Sequence, residues 1–117
     1  MKVLVTGSGG LIGSQCVVNL AKSGWDVIGV DNNLREWFFG GHGSTSQTIQ
    51  DLTATFPSYR HITLDIRDRG AIRALFEAER PEFVIHTAAQ PSHDQAASIS
   101  YEDFDVNAVG TLNLLVA

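Results

Sequence analysis

The chain has 117 residues, enough for one modest domain with a real core, and its 44% hydrophobic and 18% charged content is that of a soluble globular protein. A net charge of -5, with Lys2 and Lys22 as the only lysines, argues against a general nucleic-acid or anionic-membrane partner. No apolar run approaches the roughly 20 residues of a membrane helix, "MKVLVTG" breaks into glycine too early for a secretion signal, and Cys16, the lone cysteine, leaves a reduced cytoplasmic setting as the expectation.

Short β-branched runs alternate with longer helical stretches. Residues 2–6 ("KVLVT") read as a buried strand. Residues 10–23 read as a helix, because Ile12, Cys16, Val17, Leu20 and Ala21 recur at helical spacing, and Gly24 is placed to end it. Residues 26–30 ("DVIGV") form a second strand ending at Asp31. Residues 34–58 are the least regular stretch. There Trp37-Phe38-Phe39 either packs as a satellite core or walls a ligand pocket, and a helix is expected over 46–56 with Ser44 or Thr45 as cap. A third strand is expected over 60–64 and a fourth over 82–87. Between them Asp68 caps a helix that carries Ile72, Leu75 and Phe76 on one face and stops before Pro81. Residues 101–117 close the chain as a helix with Phe104, Ala108, Leu112 and Leu115 on one side. Strands separated by helices predict an α/β fold of the Rossmann type. Its parallel, doubly wound sheet would be incomplete, with about four strands in the order 3-2-1-4.

Residues 5–14 ("VTGSGGLIGS") gather Gly7, Gly9, Gly10 and Gly13 directly after the first strand and at the start of the first helix. Asp31 ends the next strand, 24 residues after Gly7. That context is the one a dinucleotide-binding fingerprint requires. The first glycine allows the tight turn, the middle one lets backbone amides reach a pyrophosphate, and Gly13 lets helix and strand pack closely. The helix N-terminus adds unpaired donors and a favourable dipole. A carboxylate at Asp31 would accept from the adenosine ribose hydroxyls and repel a 2′-phosphate, which favours NAD over NADP, although Arg35 nearby weakens that preference. A Walker loop would need a lysine after the glycines, and a serine-hydrolase elbow would need glycine where Thr6 stands before Ser8. His42, His61, His86 and His93 show no metal-ligand spacing, so no metal site is expected.

"TGSGGLIG" resembles the TGxxGxxG loop of extended short-chain dehydrogenase/reductases, and four further stretches match in order: "VDNN" (30–33), "LDIRD" (64–68), "VIHTAAQPS" (84–92) and "NAVGTLNLL" (107–115). The chain is similar, along its whole length, to the nucleotide-sugar epimerase/dehydratase group of that family. "DNNLREWFFG" and "HTAAQPSHD" most resemble the CDP-paratose 2-epimerase branch. The resemblance implies that Gly7, Gly10, Leu11, Ile12 and Gly13 hold the pyrophosphate of NAD. Asp31 and Asn32 would bind the ribose with Asn33 and Arg35 close by, and Asp65 and Ile66 would flank the adenine, with Asp65 alternatively a cap for the strand-end turn. Ala88, Ala89 and Gln90 would line the path to the nicotinamide, or simply begin a loop. Asn107 would support the cofactor or the active-site backbone, or else be a solvent-facing asparagine, and Gly110 in the same helix suggests close packing. Ser92 and His93 would approach the nucleotide-sugar substrate, with a plain surface histidine the other reading of His93.

The family's chemistry rests on a Tyr-x-x-x-Lys pair, but Thr63 stands four residues beyond Tyr59 and Asp105 four beyond Tyr101. The expectation is therefore an N-terminal NAD-binding part of an enzyme, residues 1–117, inactive by itself, with the catalytic and substrate-binding half elsewhere. The intact enzyme would be a cytoplasmic homodimer acting as an NAD-dependent nucleotide-sugar epimerase in carbohydrate biosynthesis. A dehydratase or reductase of the same family, or a non-catalytic NAD-binding sensor module, are the alternatives.

Overall fold

The computed structural model describes residues 1–33, 41, 44–89 and 98–117, and ten elements follow one another among these described residues. They are β1 (Lys2–Thr6), α1 (Leu11–Lys22), β2 (Asp26–Val30), α2 (Ser46–Thr55), β3 (Tyr59–Ile62), α3 (Arg69–Glu79), β4 (Phe83–His86), α4 (Ser100–Phe104), a π-helical turn (Asp105–Val109) and α5 (Gly110–Val116). The four strands are parallel in the order β3-β2-β1-β4, with Val3 opposite both Val27 and Phe83. This is the strand order expected of the fold. Trp37, Phe38 and Phe39 lie outside the described residues, so neither reading of that cluster is resolved.

Successive side chains of a strand point to opposite faces, and β1 shows why both faces of this sheet need cover. Leu4 joins Ile28, Val30, Ile66, Ile72, Leu75, Val106 and Leu114 in one core. Val3 and Val5 join Val17, Val27, Leu52 and Tyr59 in the other. β1 is therefore apolar at every central position, as a strand buried on both faces must be. Ser8 and Tyr59 bring the only hydroxyl pair into the second core among the described residues, Ser8 Oγ lying 3.0 Å from Tyr59 Oη. Both are almost fully buried. Tyr59→Phe leaves the serine hydroxyl without this partner and is expected to lower stability by about 1–2 kcal/mol; an unchanged urea midpoint would show that the serine finds another.

The helix ends follow their local chemistry. Gly24, at φ +86°, lets Trp25 N–H reach back to Leu20 O at 3.0 Å and so closes α1. Asp68 caps α3 by accepting from Ala71 N–H at 3.0 Å, and Arg80 ends it in the left-handed conformation just before Pro81. Glu79 then joins α3 to two strands: its carboxylate takes both terminal nitrogens of Arg60 (3.0 and 2.9 Å) and Lys2 Nζ (3.2 Å). Arg60 first, and Lys2 after it, hold that carboxyl at about 2. Solvent screens these pairs, so they fix geometry more than they stabilise.

Two details differ from the sequence reading. Ser44 or Thr45 was expected to cap α2, and Thr45 does occupy the cap position, but its side chain makes no cap hydrogen bond; Ser44 Oγ instead accepts from Ser46 N–H at 3.3 Å. The closing helix is also not uniform, because a π-helical turn at Asp105–Val109 separates α4 from α5. Immediately after it, Gly110 lies so close to Ile66 that a Cβ would sit 2.6 Å from Ile66 Cδ1, the close packing expected of that glycine.

Candidate functional site

The carboxyl ends of β1, β2 and β4 open onto a cavity of about 310 Å³, the edge of a parallel sheet where ligands of such folds sit. One wall is the glycine loop with the first turn of α1: Gly7, Gly10, Leu11, Ile12 and Gly13. Val30, Asp31 and Asn32 follow from β2, and Thr87, Ala88 and Ala89 from β4. Leu64, Ile66, Val106 and Thr45 complete the lining.

Gly7 turns the chain at φ +69°, with its N–H on Val30 O at 2.7 Å. A side chain there would place Cβ 2.9 Å from Ala88 N. At Gly13 a Cβ would overlap the Gly7 carbonyl oxygen and lie 2.8 Å from Thr87 Oγ1. Loop, helix and β4 end are thus in direct backbone contact. Gly10, the N-cap residue, has no side chain with which to cap α1, and no acidic residue occupies the first turn. The opening amides of a helix lack intrahelical partners, and here no carboxylate of the first turn competes for them. This wall fits a phosphate group on grounds of both space and polarity.

Asp31 stands beside this loop. Its Oδ2 accepts from Gly9 N–H at 3.1 Å, and its Oδ1 from Asn33 N–H at 2.7 Å and Thr45 Oγ1 at 3.1 Å. The carboxylate therefore braces the glycine loop as well as facing the cavity. The β4 side is braced by a directional hydrogen-bond chain. Thr111 donates to Asn107 O at 2.6 Å, so it accepts from His86 Nε2–H at 3.0 Å. That leaves His86 Nδ1 to accept from the Thr6 hydroxyl at 2.6 Å. Thr6 in turn accepts from the amides of Thr87 (3.1 Å) and Ala88 (3.2 Å), which begin the cavity lining.

This chain requires neutral His86, and burial also pushes its imidazole below the ordinary range. Burial does the same to His61, against an opposing effect of Asp31, and His61 Nδ1 has no hydrogen-bond partner among the described residues. Both folded-state values lie below the unfolded value of about 6.5. The unfolded chain then binds more protons as pH falls through that value, and stability falls with it. The urea midpoint is expected to be lower at pH 5.5 than at pH 7.5, with a weaker dependence in His86→Gln; equal slopes in the two proteins would remove His86 from this account.

Of the residues singled out in the sequence, Gly7, Gly10, Leu11, Ile12, Gly13, Asp31, Asn32, Ile66, Ala88 and Ala89 come together around the cavity. Asn33, Asp65 and Asn107 are not in its lining. Asn33 braces from behind, its Oδ1 accepting from Thr45 N–H at 2.7 Å. Asp65 forms the strand-end turn, accepting from Arg67 N–H at 2.9 Å and from its guanidinium at 2.6 to 3.0 Å. Burial raises its carboxyl, but the hydrogen bonds from Arg67 outweigh that and hold it below the usual range. Asn107 is exposed, with Nδ2 3.1 Å from Asp103 Oδ1. Arg35, Gln90, Ser92 and His93 lie outside the described residues. Val30, Thr45, Leu64, Thr87 and Val106 were not anticipated: the apolar three have the pattern of core positions, and only position beside a strand or helix end marks the threonines.

The model of one protein family, the NAD dependent epimerase/dehydratase family, matches residues 3–117. The chain belongs to that family. Among curated members of this epimerase/dehydratase family it is 32% identical to a probable dTDP-glucose 4,6-dehydratase of Sinorhizobium fredii, over 98% of the chain and 31% of the relative. It is 34% identical to the human UDP-glucose 4-epimerase, over 97% of the chain and 32% of the relative. The chain thus spans about a third of the length of the curated relatives it matches. Among solved structures, UDP-glucose-4-epimerase from Stenotrophomonas maltophila, with bound NAD and formylated UDP-arabinopyranose, superposes with a TM-score of 0.82 at 31% identity, over 99% of this chain and 32% of that one.

Proposed function

We propose that this chain holds NAD for a nucleotide-sugar epimerase similar to the CDP-paratose 2-epimerases. The observation that carries the reading is the glycine cradle at the start of α1, where N-cap Gly10 supplies no side-chain cap, with the Asp31 carboxylate bonded to the same loop at the edge of the cavity. Gly7, Gly10, Leu11, Ile12 and Gly13 would hold the pyrophosphate. Asp31 and Asn32 would take the adenosine ribose, and Ile66 would cover one face of the adenine. Ala88 and Ala89, without bulk, leave room along the nicotinamide path. When bound, NAD supplies a hydride acceptor that is also a donor, which suits a reaction that oxidises a sugar and reduces it again. The dehydratase reading keeps one specific support, the likeness to dTDP-glucose 4,6-dehydratases.

A cytoplasmic setting, a homodimer and a place in carbohydrate biosynthesis belong to the same proposal, and among the described residues no helix is long and apolar enough to cross a membrane. No Tyr-x-x-x-Lys occurs in these 117 residues, so the proposal assigns them cofactor binding without turnover. Calorimetric titration with NAD and with NADP tests it. The chain is expected to bind NAD at least about tenfold more tightly, since the carboxylate repels a second phosphate. Tighter NADP binding would overturn the role given to Asp31, and turnover of a nucleotide sugar by this chain alone would overturn the division of labour.

A further inference from the structure

Thr45 occupies the N-cap position of α2 yet does not cap it. Threonine is favoured at that position because its hydroxyl oxygen satisfies an opening amide of the helix. Here the hydroxyl is turned away, shared between Asp31 Oδ1 at 3.1 Å and Asn33 Oδ1 at 3.2 Å. The residue is almost fully buried, lies in the cavity lining, and is tied by its own N–H to Asn33 Oδ1. It also packs on the glycine loop: a Cβ on Gly9 would sit 2.6 Å from Thr45 Cβ.

The placement decides how Asp31 can be used. An ionised carboxylate offers about four lone-pair sites, two on each oxygen. Asn33 N–H takes one site of Oδ1 and the Thr45 hydroxyl, whose single proton it shares with Asn33 Oδ1, faces the other, while Gly9 N–H takes one on Oδ2. Among the described residues one site remains, on Oδ2. We infer that Thr45 is a positioning residue that fixes the rotation of the Asp31 carboxylate and reserves one lone pair of Oδ2 for the 2′-hydroxyl of the adenosine ribose. The inference rests on the NAD-binding reading and extends it from the residue to the atom. It also makes Thr45, 14 residues away in sequence, a determinant of ribose specificity that touches the ribose only through Asp31.

The test measures the affinity of the full chain for NAD and for NAD whose adenosine ribose lacks the 2′-hydroxyl. The wild-type chain is expected to prefer NAD. Thr45→Val keeps the packing and removes the donor; it is expected to weaken NAD binding about tenfold while barely changing binding of the deoxy analogue, so the preference shrinks, as losing a hydrogen bond to a charged group implies. Thr45→Ser keeps the donor and is expected to stay within about twofold of wild type for both ligands. Thr45→Ala serves as a second donor-free variant should Thr45→Val fail to fold. A donor-free variant with lowered melting temperature but an unchanged preference would reduce Thr45 to a structural residue and overturn the inference. A wild-type chain that binds NAD without preferring it over the deoxy analogue would overturn it too, leaving the NAD reading intact. A wild-type chain that binds neither would overturn both.

Discussion

Gly13→Val is expected to lower stability by about 3 kcal/mol and the melting temperature on the order of 10 °C, and to abolish measurable NAD binding. The added Cβ would fall on the Gly7 carbonyl oxygen, with the Gly7 carbonyl carbon at 2.7 Å and Thr87 Oγ1 at 2.8 Å. These are backbone atoms and a threonine already donating to Thr6 O at 2.6 Å, so nothing nearby is free to give. Relief requires α1 to move off the loop, which takes the helix amides away from the cavity. Gly70→Ala is the matched control. Gly70 lies in α3 with only Asp68 Oδ1 near its missing side chain, at 3.8 Å, and alanine there is expected to stabilise by up to about 1 kcal/mol. Thermal melts of both variants, with NAD titrations, check the pair; a Gly13→Val protein as stable as wild type would mean that the loop and helix are not in contact.

Asp31→Ala has the second largest expected effect, because one side chain serves two purposes. It removes the acceptor for Gly9 N–H, Asn33 N–H and the Thr45 hydroxyl together. Hydrogen bonds to a charged group are each worth about 1.5–3 kcal/mol and do not simply add. The folded state is therefore expected to lose about 2–4 kcal/mol, the upper part of the range if the glycine loop cannot collapse onto the vacancy. NAD affinity is expected to fall about a hundredfold, equivalent to roughly 2.7 kcal/mol, and the preference for NAD over NADP is expected to vanish with the repelling charge. Calorimetry on the folded fraction separates the two effects. Retained discrimination against NADP in Asp31→Ala would assign that role to another group.

The sheet and the cradle were legible in the sequence because both are written in local chemistry. The run "KVLVT" is apolar at its three central positions because β1 is covered on both faces, and the glycines stand between a strand and a helix because the turn there leaves no room for side chains. Asp68 and Gly24 mark helix ends by their own hydrogen bonds. What escaped depends on contacts far apart in the chain. Thr45 looks like a cap because its neighbours make it the start of a helix, and only the folded arrangement brings Asp31 within reach of its hydroxyl. Thr6 and His86, 80 residues apart, give no joint signal, since a threonine and a histidine at strand ends are ordinary. The π-helical turn is invisible to a 3.6-residue period, because one wide turn shifts the helix face by less than the spread of apolar positions already present.

The central place of β1 has a kinetic consequence. Of the four strands of this sheet β1 is made first and β2 next, so these two can pair early, but the other edge of β1 stays open until Phe83–His86 emerge. Closing a loop of that length is entropically costly, and folding rates fall as contacting residues lie farther apart in sequence. The β1–α1–β2 half can assemble early, with Asp26 N–H already on Met1 O at 2.9 Å, while the β4 side of the cavity is completed late. A nascent chain thus has its phosphate-facing turn before it has the opposite wall, and ligand capture must wait for synthesis to pass Ala89.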